Sequence, residues 1–260
     1  MLGHDVGSDS TSPNPSTPTT TPTMSAHPTA THAGSTWAAD AEQYDHWFGS
    51  SWGSYAFTTE RQVVLHAAGS LTGKRVADIG CGTGRFTTHL ERDAGHVIGL
   101  DPDPSMLAIA SRRTQAPLVL GDGHRLPFAD HRFDLAIAVT VCEFATDPAA
   151  VVTELARITR PGGRVVVGAL NRDSPWGIVN RHQFGQPPWD SARFLSPGDL
   201  HRLGEPHGTV HLDAALYPPR ALPFINIWGP VLDHVGRLVA PGAGAFNVLT
   251  IDTHDRRNHP

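Results

Sequence analysis

The sequence holds only two cysteines, Cys81 and Cys142, in 260 residues. Two cannot build a disulfide framework, so a reducing cytoplasm is the expected compartment. No apolar run approaches the ~20 residues that cross a bilayer; the longest, such as FDLAIAVTV, have strand length. The N-terminus lacks a basic start followed by an apolar stretch of about 7–15 residues, which argues against a secretion signal. Basic surplus is missing too. The formal net charge is −5 and the basic residues are scattered singly, so no nucleic-acid footprint is expected. Histidine is plentiful at 16 residues, yet none falls in HExxH. His207 and His211 straddle a glycine with no third ligand in view, and no metal site is expected.

Apolar residues make up 39% of the chain, and the deficit sits largely in residues 1–35, a Pro/Thr/Ser-rich stretch with little to bury. That composition predicts a disordered tail; Met24 is an alternative start. Residues 36–255 read as a single domain. From Lys74 onward, short apolar runs alternate with helical segments: RVADIG, TGRFTTHLERD, HVIGLD, PSMLAIASRR, PLVLGD, FDLAIAVT, DPAAVVTELARITR and GRVVVGAL. Runs of Val, Ile and Leu without polar alternation suit strands covered on both faces. The segment 147–160 is a predicted helix, with Asp147 as cap, Pro148 in the first turn and Val151, Val152, Leu155 and Ile158 on one face. Pro161-Gly162-Gly163 is expected to stop it. The fold class is therefore α/β: a doubly wound, mostly parallel Rossmann-like sheet with helices on both faces. TVHLDAAL and GAFNVLTID read as a sixth and a seventh strand, and SPGDLHRLG as a short helix capped by Ser196.

The stretch RVADIGCGTGRF places Gly80, Gly82 and Gly84 directly behind the first strand. Such a loop lets backbone N–H groups and a helix N-terminus approach a ligand. A dinucleotide site needs G-x-G-x-x-G, and Arg85 occupies the place of the last glycine. Asp78 would repel a diphosphate beside the loop but welcome an ammonium group. The pair suits a ligand with both a carboxylate and an ammonium, such as the methionyl end of S-adenosylmethionine. Asp101 closes the second strand, where a carboxylate can accept both hydroxyls of a ribose. Asp122 and Gly123 close the third, placed for an adenine amino group and ring, and Met106 can lie against the adenine face.

These motifs, VADIGCGTG, VIGLDPDPSML, GDGHRLPF, FDLAIAVTVCEF and RITRPGGRVVVGALN, resemble those of class I S-adenosylmethionine-dependent methyltransferases. The resemblance is to the type 11 group that contains ubiquinone and menaquinone C-methyltransferases, and it covers residues 42–171 well. It implies a seven-stranded sheet with the last strand antiparallel. It also implies that Asp78 and the loop from Gly80 through Cys81 and Gly82 to Gly84 hold the methionyl part. Asp101, with Pro102 beside it, would take the ribose, and Asp122 and Gly123 the adenine. Val139 and Thr140 would line the cofactor near its sulfur, and Tyr44 would close over the methionyl carboxylate. The segment ahead of the core, 36–70, resembles the family's N-terminal cover. The cofactor-binding core is expected at 74–171, and the insertions at 172–207 and 217–243 are expected to cover the substrate side, the second alternatively contacting a partner.

Methyl transfer by in-line displacement needs alignment and exclusion of water, and a base only where the acceptor must lose a proton. Glu143, after the fourth strand, is the candidate catalytic residue. Trp47, Phe144, Asn171 and Trp176 are candidate substrate contacts, with Trp52, Phe184 and Phe194 as further wall aromatics and His182 and Arg193 as polar ones. Phe144 stands where many relatives carry His. The expected acceptor is a small molecule, apolar or aromatic in character; a homodimer is left open. Cys81 and Cys142 are expected on one edge of the sheet, as small residues packed beside the loop. A nicotinamide-dependent oxidoreductase and a non-catalytic S-adenosylmethionine-binding protein are the alternatives.

Overall fold

The computed structural model describes residues 41–180, 192–219 and 222–254. The tail at 1–35 and the candidates His182 and Phe184 lie outside them. Five strands follow one another through the core: β1 (Arg75–Ile79), β2 (His96–Asp101), β3 (Leu118–Leu120), β4 (Phe133–Val139) and β5 (Thr159–Leu170). Then come β6 (Gly208–Ala215) and β7 (Phe246–Thr253). They form one sheet of order β3-β2-β1-β4-β5-β7-β6. The first five run parallel, and β7 is antiparallel to both β5 and β6. The expected seven-stranded sheet is therefore present. Because β6 opposes β7 and β7 opposes β5, the end of β6 falls on the same edge as the ends of β1, β4 and β5. In register, Leu170 and Ala215 both face Phe246.

Eight helices are described: α1 (Ala41–Trp47), α2 (Ser51–Ala68), α3 (Arg85–Leu90), α4 (Pro104–Ala110), α5 (Pro148–Ile158), α6 (Pro175–Asn180), α7 (Pro197–Gly204) and α8 (Ile225–Val239). Four of them, α2, α4, α5 and α7, start on side-chain oxygens that satisfy otherwise orphaned N–H groups. Ser50 accepts from Gly53, Asp147 from Ala149 and Ala150, and Ser196 forms a reciprocal capping box with Asp199. The end of α5 differs from the expectation. The helix stops at Ile158, because Thr159 is already extended and pairs with Phe133, its hydroxyl donating to Leu155 O. Pro161-Gly162-Gly163 instead form the irregular start of β5, where the register against β4 shifts.

Alternate residues of the strands feed two cores. Val76, Leu135, Ile137 and Phe246 pack with Val63, Val64 and Ala67 of α2 on one face. Ala77, Ile79, Ala136 and Leu249 pack with Val152 and Leu155 of α5 and Leu200 of α7 on the other. Each of the larger side chains, the alanines aside, contributes roughly 1.5–3 kcal/mol on burial. With both faces covered, the strands carry continuous apolar runs. Between β1 and β4 the strand order reverses. That point is the usual crevice for a ligand in an open α/β sheet.

Candidate active site at the carboxyl edge of the sheet

The glycine loop lies at that crevice. Gly80 N–H and Cys81 N–H both donate to Leu100 O, at 2.7 and 2.9 Å, which ties the loop to the end of β2. Gly80 has φ 70°, and a Cβ there would sit 2.3 Å from Val141 Cγ2, so only glycine fits. Gly82 has φ 52° and nothing within 4 Å of the place a Cβ would take, so its outer side is open. Cys81 and Cys142 are both buried just past β1 and β4. Burial pushes both thiols up, which keeps them protonated and inert.

Four carboxyl groups converge on this edge. Asp78 is buried and accepts a 2.6 Å hydrogen bond from Thr87 Oγ1. Burial raises its carboxyl to about 6, with Asp101 adding to the shift. Asp101 accepts from Gly82 N–H at 2.8 Å and from Asp103 N–H at 2.9 Å, one bond to each oxygen. Burial holds it at about 6 as well. Glu143 is 1% exposed; its Oε1 accepts from Leu170 N–H at 2.6 Å, whereas Oε2 has no partner. Burial lifts it to about 7.

The fourth, Glu60, was missed in the sequence. It sits on α2 in the stripe Ala56–Glu60–Val63–Ala67, whose other three residues are buried against the sheet. Burial, and then repulsion from Glu143, raises it to about 8. A glutamate inside an apolar 4-3-4 spacing was the signal that could have found it. Tyr44 faces the same interior: burial, then Glu60 and Asp101, push its phenol above the usual range. Among the described residues, none of the four carboxyls forms an ion pair with a Lys or Arg.

Arg85, which stands where a dinucleotide site has glycine, fastens the loop to the N-terminal segment. Its Nε donates to Asp45 Oδ1 at 2.9 Å, and its guanidinium lies 4.6 Å over the Phe48 ring. Asp45 also accepts from Thr83 Oγ1 at 2.9 Å and from Arg113 Nη2 at 2.7 Å. One carboxylate of α1 thus joins the loop, the start of α3 and the segment after α4. Tyr44, beside it, is positioned by this clamp and by an edge-on contact with Phe48.

The remaining candidates fall in several places. Gly121 N–H donates to Asp101 O at 3.1 Å, so the end of β3 abuts Asp101. There Asp122 Oδ1 accepts from His124 N–H at 2.9 Å and lies 2.6 Å from His124 Nδ1. A Cβ on Gly123 would touch Ile79 and Val151. Met106 is buried in α4, whereas Pro102 is exposed. Val139 ends β4 and Thr140 follows in the left-handed region at φ 53°, held by its N–H to Gly168 O at 2.8 Å. A β-branched residue in that conformation is strained.

Trp47 and Trp52 pack against the α2-side core. Trp176 stacks on Phe194, their centroids 6.1 Å apart, and Phe144 is half-buried nearby in sequence to Glu143. Asn171, expected to face substrate, is instead tied to backbone. Its amide donates to Gly242 O and Gly244 O at 2.9 and 2.8 Å, and its oxygen accepts from Asp173 N–H. Arg193 donates to the carbonyls of Ala145 and Thr146.

The methyltransferase-domain family model matches residues 77–167, the segment from β1 to β5 that builds this edge. An uncharacterised protein of Mycobacterium tuberculosis is 33% identical over 229 residues, covering 85% of this chain and 76% of that one. A demethylmenaquinone methyltransferase of Beutenbergia cavernae is 37% identical over 131 residues, covering 50% of this chain and 48% of that one. A Thermotoga maritima structure described as a SAM-dependent methyltransferase, possible histamine N-methyltransferase, superposes with a TM-score of 0.69 at 26% identity. It covers 84% of this chain and 97% of its own.

The chain belongs to the S-adenosylmethionine-dependent methyltransferases. The nicotinamide reading is thereby set aside, in keeping with Arg85 and the carboxylates. The chemistry of this methyltransferase's donor set fits its cofactor. Three buried carboxyl groups and the half-buried Glu60, with no Lys or Arg paired to them among the described residues, destabilise their own charged forms. A ligand with a sulfonium and an ammonium supplies the missing positive charge, and a polyphosphate does not.

Proposed function

We propose that the methyltransferase acts on a small apolar or aromatic acceptor whose nucleophile carries an ionisable proton, and that Glu143 takes this proton. The observation that carries the reading is Glu143 itself: buried at the rim of β4, one oxygen fixed by Leu170 N–H and the other unpartnered. A carboxyl held near 7 is matched to proton abstraction at neutral pH. The backbone bond to Oε1 aims the free oxygen, and burial keeps water from competing for it. S-adenosylmethionine, when bound, supplies a methyl group on a cationic sulfur, open to in-line displacement.

The chain's own residues then divide the work. Asp78 and the N–H groups of the Gly80–Gly84 loop hold the methionyl ammonium and carboxylate, with Tyr44 closing over them. Asp101 keeps one lone pair on each oxygen for the ribose hydroxyls, and Asp122 with Gly123 receives the adenine against Met106. Val139 and strained Thr140 border the reacting centre. Trp47, Phe144 and Trp176 wall the acceptor side, while Asn171 positions the loop at 242–244 rather than touching substrate. The apolar walls agree with relatives named for ubiquinone and menaquinone biosynthesis.

The test is a labelled methyl-transfer assay against phenols, hydroquinones and arylamines, with products identified by mass spectrometry. Methylation of a protic aromatic acceptor that collapses in Glu143→Gln is the expected result. Product formed only on acceptors without an ionisable proton would overturn the role of Glu143. Absence of any product, with cofactor binding intact, would return the chain to a binding protein.

A further inference from the structure

Helix α8 is amphipathic the wrong way round. The residues it turns inward are Ile225, Gly229 and Asp233. A Cβ on Gly229 would lie 2.4 Å from the Tyr55 ring, and one on Gly236 would lie 2.3 Å from the Tyr217 ring, so the helix backbone sits directly on both aromatics. Asp233 anchors it: Tyr55 Oη donates to one oxygen, and Tyr217 N–H donates to the other at 2.9 Å. The opposite face carries Ile227, Trp228, Val231, Val235, Leu238 and Val239, each 47–77% exposed. Phe224, at the N-cap, is held at φ 54° with three-quarters of its surface exposed. A contiguous apolar face of this kind marks an interaction surface.

We propose that α8 docks the methyltransferase onto an anionic lipid bilayer, lying flat in the headgroup region. Fifteen residues at ~1.5 Å each give ~22 Å, too short to span but typical of a helix lying in the interface. Charge fits that occupant. Asp233, the only carboxylate in the helix, is turned inward, whereas His234 and Arg237 are exposed. Trp228 suits the boundary between apolar and polar layers. The chain's own residues 1–40 contain only Met1, Leu2, Val6, Met24 and Trp37 as large apolar side chains, too few and too scattered to cover the face. A second copy of the chain is the alternative occupant of this face, and the experiment below separates the two. The helix joins β6 to β7 at the sheet edge that holds the site, so docking brings that edge to the membrane surface.

The proposal concerns the surface and is independent of the acceptor's chemistry. It is tested by co-sedimentation of the full chain with vesicles of phosphatidylcholine and phosphatidylglycerol. The triple variant Ile227→Ser, Val231→Ser, Leu238→Ser, with S-adenosylhomocysteine binding as the check on folding, is run beside it. The wild type pellets with vesicles, and the variant's partition falls at least tenfold while its cofactor affinity is unchanged. A wild type that stays in the supernatant, or a variant that pellets as strongly, overturns the proposal. So does a concentration-dependent dimer that the variant abolishes without any vesicle binding, which would assign the face to a second copy.

Discussion

Asp101 commits one lone pair of each carboxylate oxygen to a backbone N–H group and keeps a second on each. On the proposed ribose placement, Asp101→Ala removes two hydrogen bonds to a charged group, each worth ~1.5–3 kcal/mol. Calorimetry should show affinity for S-adenosylhomocysteine weakened by at least about tenfold; unchanged affinity would refute the assignment. Glu143 stands differently, with a single backbone bond and one idle oxygen. Glu143→Gln preserves the Leu170 bond but cannot take a proton, so kcat should fall by ~10²–10⁴ with KM little changed. In the wild type, the rate should climb as pH rises through about 7, where Glu143 loses its proton. The variant should lack that limb.

The elements around the site are joined by a few specific contacts, and their loss is readable one element at a time. Asp45 holds the glycine loop, Arg85 and Arg113 from α1. Asp45→Ala should lower S-adenosylhomocysteine affinity and expose the segment around Tyr44 to protease, since that tether is gone while the sheet is untouched. On α8, Gly229→Ala places a methyl group against a Tyr55 ring already pinned by Asp233. Helix propensity gains up to ~1 kcal/mol from the change, but overpacking costs ~1–3 kcal/mol. Thermal denaturation should therefore show a net loss, and a Tm at or above wild type would mean that Tyr55 moves freely.

For the molecule as a whole, four raised carboxyl groups make stability depend on pH. Below their ordinary values, near 4, they are protonated folded or unfolded and contribute no difference. As pH climbs, the unfolded chain releases protons that the fold retains, at about 6 for Asp78 and Asp101, 7 for Glu143 and 8 for Glu60. Stability without cofactor therefore falls between roughly pH 4 and 8. Thermal-shift curves should show Tm dropping from pH 6 to 8.5, with a smaller drop in Glu60→Gln and in the presence of S-adenosylmethionine. A flat or rising profile would mean that the four groups are better solvated than their burial implies.

Most of the fold could be read in advance because it depends on local regularities. Val/Ile/Leu runs demand a sheet covered on both faces, and Asp147 and Ser196 start their helices through their own side chains. Carboxylates closing β1, β2 and β3 were legible for the same reason: a strand end followed by a glycine-rich turn is a sequence feature. What depends on packing between distant segments was not legible. Glu60 looks like any exposed helix glutamate until α2 is laid on the sheet, and Asn171 looks free until the loop at 242–244 folds onto it. The apolar residues of α8 read as a cover for a face or a contact for a partner, and the sequence left the two undivided. Asp233, Gly229 and Gly236 fit Tyr55 and Tyr217 so closely that the apolar side is left facing outward. Periodicity states that a helix has two faces; only the surfaces it meets decide which one is buried.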